Sequence, residues 1–236
     1  MTLPVINVPT YKLDIPSTKE SIKFRPFRVN EEKILLLALE MSEDKPEGMM
    51  DAVKQIIENC TFGEIELNGL ALFDLEYIFL RIRAKSVGEV AKIQVLCEDD
   101  GETYVPVEID LESIEVEFQE DHSNKIELTD EISIEMGYPT FEFLNFKADE
   151  TEVNQLFDII GSSIVRVYEG ETVYEKADFS KKDLKTFLES LTSQQFLKVQ
   201  KFFETMPRLR HKIEVINPKT KKKNEVILEG LQAFFE

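Results

Sequence analysis

The chain of 236 residues has no tryptophan, and it contains only two cysteines, two histidines and nine glycines. Cys60 and Cys97 are too few for a disulfide framework, so a reducing cytosol is the expected compartment. No apolar run approaches the roughly 18 residues that a membrane-spanning helix needs. The N-terminus also lacks the basic and apolar regions of a signal peptide. We therefore expect neither a membrane segment nor an export signal.

Motifs that carry chemistry are also missing. The histidines His122 and His211 and the two cysteines do not fall at metal-ligand spacing, so no metal site is predicted. The Walker A, G-x-S-x-G and G-x-G-x-x-G patterns are absent, and no cofactor or catalytic residue is predicted. The 46 acidic residues leave open a carboxylate-based hydrolase that uses acids within 98–158, although nothing in the sequence marks one pair as functional.

Positive charge is scarce in the middle of the chain. The formal net charge is −18, and the segment 98–158 contains 20 acidic and 2 basic side chains, whereas Lys198–Lys223 contains 9 basic and 2 acidic ones. This pattern fits either a solvated acidic surface or attraction to an oppositely charged partner. That partner could be a second copy bound head to tail through 98–158 and 198–223. Nucleic acid is not an expected partner, because phosphate contacts need clustered cations.

The most strongly patterned stretch is 71–91, which predicts the central helix of the N-terminal half. Asp74 is a suitable N-cap, basic residues occupy the last turns, and Gly88 lies where a helix stop is expected. Apolar residues occupy more than one face, so the helix is expected to be packed on several sides.

Alternating apolar residues around Asp100-Gly101 predict a β-hairpin after this helix. A similar helix and hairpin recur near the C-terminus, where the loop carries Lys219, Lys221, Lys222 and Lys223 in place of acids. The predicted fold is α+β, with helices packed against antiparallel hairpins. The recurrence fits either two similar helix-plus-hairpin halves or a chance likeness of two hairpins. We place the domains at 1–120, with the acidic hairpin, and 121–236, ending in the basic-tipped hairpin.

Three strings resemble a known family. They are Ile22-Lys-Phe-Arg-Pro-Phe27 followed by Glu31-Glu-Lys-Ile-Leu-Leu36, the middle string Arg83-Ala-Lys-Ser-Val-Gly-Glu89, and the end from Pro207 to Phe235. They are similar to the baseplate hub (assembly) protein family of T-even-type contractile-tailed bacteriophages. The resemblance implies a non-enzymatic tail protein that acts in hub assembly or structure through contacts with other tail and hub proteins. It also implies a location in the host cytoplasm during assembly and in the tail baseplate of the virion.

Exposed aromatic and basic side chains are typical interface anchors. If the hub interpretation holds, contacts are expected at the F-R-P-F strand, at the R-A-K-S corner and at the basic hairpin tip. For the two phenylalanines, ordinary core packing is the alternative. An acidic adaptor that binds a basic protein through 98–158 is the alternative function. The candidate contact residues are Phe24, Arg25, Phe27, Arg83, Lys85, Lys221, Lys222 and Lys223.

Overall fold

The computed structural model describes residues 6–42, 47–141, 151–230 and 233. Within these residues the fold is α+β, as predicted. From the N-terminus, the elements are β1 (Tyr11–Asp14), β2 (Ser21–Phe24), α1 (Val29–Ser42), α2 (Glu47–Cys60), α3 (Leu72–Val87), β3 (Val90–Leu96), β4 (Tyr104–Asp110) and β5 (Glu115–Glu117). They continue with β6 (Lys125–Glu127), β7 (Ile132–Met136), α4 (Glu152–Ser163), β8 (Ile164–Glu169), β9 (Thr172–Glu175), α5 (Lys181–Ser190), α6 (Ser193–Thr205), β10 (Arg208–Ile216) and β11 (Lys223–Glu229).

These elements form two compact units, and the first is discontinuous in sequence. It contains the chain up to Glu117 and again from Arg208 onward, whereas the second unit comprises Phe118–Pro207. This division differs from the predicted domains 1–120 and 121–236. The physical reason is that β10 pairs with β5 as well as with β11, so the basic-tipped hairpin belongs to the first unit.

Helix α3 is buried on several sides, as its apolar pattern predicts. Its sequence has neither glycine nor proline, and Gly88 ends it at φ 133°, where a side chain would be strained. The residue at the N-cap is Ala71 rather than Asp74, which lies within the first turn and is itself buried. The helix residues with at most 4% exposure are Phe73, Asp74, Leu75, Ile78, Phe79, Leu80, Ile82 and Ala84.

Polar side chains of α3 attach other segments of the first unit to the helix. The Asp74 carboxylate accepts hydrogen bonds from the backbone N–H and the hydroxyl of Ser17, at 3.0 and 2.5 Å. About two turns further on, Arg81 donates to the carbonyl oxygens of Leu111 and Ile114, at 3.0 and 2.8 Å. These bonds fix the β1–β2 turn near one end of the helix and the segment before β5 further along it.

Three hairpins of the first unit turn in a similar way. In the loops 15–20 and 217–222, the first residue forms two backbone hydrogen bonds. Its N–H donates to the carbonyl of the sixth residue, and its carbonyl accepts from the N–H of the fifth residue, at 2.8–2.9 Å. In 97–103 the loop is one residue longer but keeps the second of these bonds. The fifth residue is left-handed in each case, namely Lys19 (φ 59°), Gly101 (φ 66°) and Lys221 (φ 62°).

The second unit contains a four-stranded antiparallel sheet in the order β6-β7-β8-β9. Side chains from the sheet and from α4, α5 and α6 form one apolar core, because alternate strand residues point toward the helices. We call this side of the sheet its inner face. The buried members of the core are Ile126, Leu128, Ile134, Met136, Ile160, Ile164, Leu188, Val199 and Phe202.

The outer face of the same sheet carries a row of alternating charges. Lys125, Glu135, Arg166 and Glu175 are register partners across the four strands. The Arg166 guanidinium lies 3.1 Å from Glu135 and 2.9 Å from Glu175. Opposite charges at directly paired positions favour this register over a shifted one, which would separate these pairs.

His122 is packed in the second unit with one ring nitrogen that has no hydrogen-bond partner. Its Nδ1 lies 2.9 Å from the hydroxyl of Thr205, which donates to the Lys201 carbonyl, so the histidine is the donor in that bond. Its Nε2 is buried without a partner, and its ring lies 5.0 Å from the ring of Phe202. Burial lowers the pKa of His122, although the nearby Asp121 carboxylate opposes this effect.

We predict that His122 makes the protein less stable in mild acid. The unfolded histidine protonates below about pH 6.5. The histidine in the folded protein has a lower pKa and resists protonation. Stability therefore falls as the pH drops below about 6.5 toward the pKa of the folded state. The substitution His122→Phe keeps an aromatic ring and should reduce the loss of Tm between pH 7 and pH 5. The control His211→Gln retains His122 and should keep the wild-type loss; equal losses in all three proteins would contradict the prediction.

Candidate interaction surfaces

The F-R-P-F segment lies largely inside the first unit. Phe24 is 3% exposed and its ring lies 5.6 Å from that of Tyr11, whereas Arg25 is 8% exposed. The Arg25 guanidinium forms a two-pronged pair with the Glu31 carboxylate, with N–O distances of 3.0 and 3.1 Å. The structure thus gives internal contacts to two residues that we expected at the surface. The reason is that the first turn of α1 supplies a buried anionic partner for Arg25.

The surroundings of Glu31 explain why this pair tolerates burial. The carboxylate also accepts the backbone N–H of Arg28 at 2.8 Å, and it lies at the N-terminus of α1, where the helix dipole favours negative charge. Burial by itself would raise the pKa of Glu31, but the hydrogen bonds from Arg25 and Arg28 hold it below its usual value. The neighbouring thiol of Cys60 is buried, which raises its pKa to about 12 and makes it a poor nucleophile.

The structure joins the F-R-P-F segment to the R-A-K-S corner. The backbone N–H of Phe27 donates to the Ser86 hydroxyl at 2.8 Å, and that hydroxyl donates to the Ile82 carbonyl at 2.5 Å. The half-buried Phe27 ring lies 5.8 Å from the ring of Phe79. The two segments singled out as separate partner contacts therefore form one internal junction between β2 and α3.

Lys85 and Arg83 lie on α3 at the same corner, and both are half-buried. The Lys85 ammonium pairs with Glu112 and with Glu89, the latter at 2.7 Å, and both carboxylates raise its pKa. It also lies 5.5 Å from the centre of the Tyr11 ring. Burial lowers the pKa of Arg83. Lys85 therefore has an internal role that links α3 with the segments on either side of the β3–β4 hairpin.

The loops of the acidic and the basic hairpin are hydrogen-bonded to each other. The Asp99 carboxylate accepts the side-chain amides of Asn217 and Asn224, at 2.8 and 3.0 Å, and the hydroxyl of Thr220. The Asp99 backbone N–H donates to the Asn224 side chain at 3.0 Å. Hydrogen bonds from Thr220 and Asn217 hold the pKa of Asp99 below its usual value. Our sequence reasoning missed this junction, although the asparagines at both ends of the lysine loop were a visible signal.

This junction leaves the lysines of the second loop at the surface. Lys219, Lys221 and Lys222 are exposed, and within the described part of the chain they form no ion pair. Lys223, the fourth lysine, pairs with Glu214 at 2.6 Å. We call Lys219, Lys221 and Lys222 the lysine tip. Of the candidate contacts, Lys221, Lys222 and Lys223 are exposed, and Lys221 and Lys222 are the two that form no ion pair among the described residues.

Several acids of the segment 98–117 form ion pairs with cations of the first unit. Glu115 pairs with Arg81 at 2.8 Å, and Glu108 pairs with Lys92 at 3.1 Å. Glu117 lies 3.8 Å from Arg210 of β10. The uneven charge of the sequence is thus partly balanced inside the first unit, because the C-terminal hairpin returns basic residues to the strand β5.

Side chains that could support chemistry are dispersed. Among the described residues, no group of three or more histidine, cysteine, aspartate or glutamate side chains could hold a metal ion. Burial raises the pKa of Asp74, but both of its oxygens already accept hydrogen bonds from Ser17. None of the helices in the described ranges is long and apolar enough to cross a bilayer.

The surfaces described above do not show which family the chain belongs to, whereas a comparison with models of protein families does. The model of the family described as T4 bacteriophage base plate protein matches residues 8–236. The chain belongs to this family. No curated protein and no solved structure matches it. The resemblance noted in the sequence is confirmed for a T4-type phage baseplate protein.

We predict that Arg25 contributes strongly to the stability of this baseplate protein. The substitution Arg25→Met leaves the Glu31 carboxylate buried without its cation, which should lower the free energy of unfolding by about 3 kcal/mol. Urea unfolding would measure the change. The control Arg28→Met makes the same substitution at an exposed site and should change stability by less than about 0.5 kcal/mol. Equal effects would show that the pair is not the source.

We also predict that Asp99 orders the lysine tip. Asp99→Ala removes the acceptor for Asn217, Thr220 and Asn224, so amide hydrogens of 217–224 should exchange faster. Hydrogen exchange followed by mass spectrometry would detect the change. The control Glu98→Ala alters the preceding exposed acid and should leave exchange in 217–224 at the wild-type rate; a similar acceleration in both variants would contradict the role of Asp99.

Proposed function

We propose that this baseplate protein acts without catalysis, in the assembly or structure of the baseplate hub, by binding other tail proteins. The observation that supports the proposal most strongly is the match to T4 baseplate proteins over residues 8–236. We propose the host cytoplasm as its location during assembly and the virion tail baseplate as its location afterwards.

The lysine tip is the surface that we propose for the principal contact. It carries three exposed lysines on a loop that Asp99 holds through side chains at both ends of that loop, Asn217 and Asn224. A loop whose backbone is ordered before binding loses less conformational entropy when a partner binds. Its partner should present carboxylates, since opposite potentials across an interface speed association and suppress wrong partners.

The internal ion pairs favour this surface over the two charge-based alternatives. An acidic adaptor, or a head-to-tail contact between copies, would use the acids of 98–158. Glu108, Glu112, Glu115 and Glu117 of that segment already face cations of the first unit. At these four positions a second protein would have to compete with the internal pairs, whereas the lysine tip requires no such exchange.

We predict that charge reversal at the tip weakens binding. The double variant Lys221→Glu and Lys222→Glu, co-expressed with other baseplate proteins, should lower the amount of partner recovered by pull-down about tenfold or more, because two attractions become repulsions. Recovery by the wild type should fall as salt is raised. The control variant reverses two exposed lysines of α5, Lys181 and Lys182, and should behave as wild type.

Two results would count against the proposal. Full recovery of partner by the tip variant would remove the lysine tip from the contact, and failure of the wild type to recover any baseplate protein would remove the hub role. Mass spectrometry of purified virions separates the two forms of that role. The chain should be present as a permanent subunit or absent as a transient assembly factor.

A further inference from the structure

The sheet of the second unit is covered unevenly on its inner face. Ile134, Val167 and Tyr174 are register neighbours across β7, β8 and β9. Ile134 is fully buried, Val167 is half-buried and Tyr174 is 40% exposed. The apolar row therefore becomes more exposed from the core toward β9, whose four residues are all exposed.

A cleft of about 280 Å³ lies between this uncovered part of the sheet and α5. A cleft of this size and lining suits one large apolar side chain, which is how protein interfaces commonly anchor a partner. Its apolar lining consists of Ile132, Val167, Tyr174, Phe179, Leu184 and Phe187.

The polar residues of the cleft are both acidic. Glu169 and Asp183 line it, and within the described residues neither forms an ion pair. Glu169 accepts a hydrogen bond from the Tyr174 hydroxyl at 3.1 Å, and Asp183 accepts one from the Ser180 hydroxyl at 2.6 Å. These donors are neutral. The charge of Lys182 acts on Asp183, but Glu169 has no cation paired with it among the described residues, so the complementary group for Glu169 is a lysine or arginine.

Strand β9 is also an edge of the sheet. The two-residue turn Gly170–Glu171, with Gly170 at φ 57°, makes Glu169 and Thr172 the hydrogen-bonded pair next to the turn. The N–H and C=O of Val173 consequently point away from β8, toward the open side. The N–H of Glu175 donates to the Asp178 carboxylate at 2.7 Å, which closes the edge at that end.

We infer that β9 and the adjoining cleft bind an extended segment of another baseplate protein by strand addition. The partner residue opposite Tyr174 is apolar and enters the cleft. The residue two positions along, opposite Thr172, is a lysine or arginine that reaches Glu169, the register partner of Thr172. Both side chains lie on one face, since strand residues two apart point the same way. The inference rests on the proposed function only for the class of partner.

The test uses the full chain and a defined peptide, acetylated and amidated, of sequence threonine-phenylalanine-threonine-lysine-threonine. Titration into the ¹⁵N-labelled protein should shift amide signals of 172–175 and of α5. Glu169→Gln should weaken binding about fivefold, which corresponds to one exposed charge pair. The control Glu171→Gln changes an acid of the same hairpin that does not line the cleft, and it should bind as wild type.

Three altered peptides isolate the individual contacts. Glutamate in place of lysine should abolish binding, and so should exchange of the lysine with its neighbouring threonine, which moves the charge to the other face. N-methylation of the central threonine, which faces Val173, should abolish strand pairing. Tight binding of any of these peptides, or no shift with the parent peptide at its solubility limit, would overturn the inference.

A measurement of self-association tests the other possible occupant of the cleft, which is a second copy of the chain. If the signals of β9 shift with the concentration of the protein alone, and sedimentation shows a dimer, then a second copy occupies the cleft and the inference is wrong. Failure of the hub proposal would instead appear in the pull-down, where the wild-type chain would recover no baseplate protein. The peptide experiment does not use that surface, so the two failures are distinguishable.

Discussion

The arginine Arg81 fixes the path of the chain after the β3–β4 hairpin. Its guanidinium donates to the carbonyl oxygens of Leu111, Glu112 and Ile114, within four consecutive residues, and lies 4.6 Å from the centre of the Tyr77 ring. A planar fork of donors satisfies several carbonyls at once, which a lysine could not do. This attachment places β5 against α3, and β5 then offers the edge on which β10 pairs. The position of the C-terminal hairpin, and with it the junction at Asp99, depends on that contact.

Local patterns predicted the elements well, and the partners of charged side chains poorly. The apolar positions and Gly88 predicted the extent and the several-sided burial of α3. This was possible because apolar periodicity and a helix stop are local properties of the sequence. Asp74 has the chemistry of a helix cap, but the same carboxylate serves the Ser17 turn, 57 residues away. The sequence F-R-P-F predicts Arg25 as a surface anchor, because nothing in it shows that Glu31 lies beside Arg25 in the fold. Sequence spacing does not reveal which charges meet across the fold.

The likeness between the two hairpins illustrates the same limit. Each hairpin follows a long helix, as predicted, and the two loops turn in a similar way. Alternation and turn residues are sufficient to predict that much. The pattern could not show that both hairpins belong to the first unit, because this depends on the three-residue pairing of β5 with β10. The predicted oppositely charged tips consequently meet each other through Asp99, while Lys219, Lys221 and Lys222 stay exposed.

The discontinuity of the first unit has a consequence for how such a chain can change. Glu117 and Arg208, the residues on either side of the second unit, are register partners in adjacent antiparallel strands. Paired residues of this kind lie roughly 5 Å apart. The sheet of β5, β10 and β11 therefore requires only that the two ends of the connection lie this close together. A short turn and the 90 intervening residues meet that requirement equally. Related chains can lengthen, shorten or exchange this insert while β5, β10 and β11 keep their alignment, so the two parts are free to diverge at different rates.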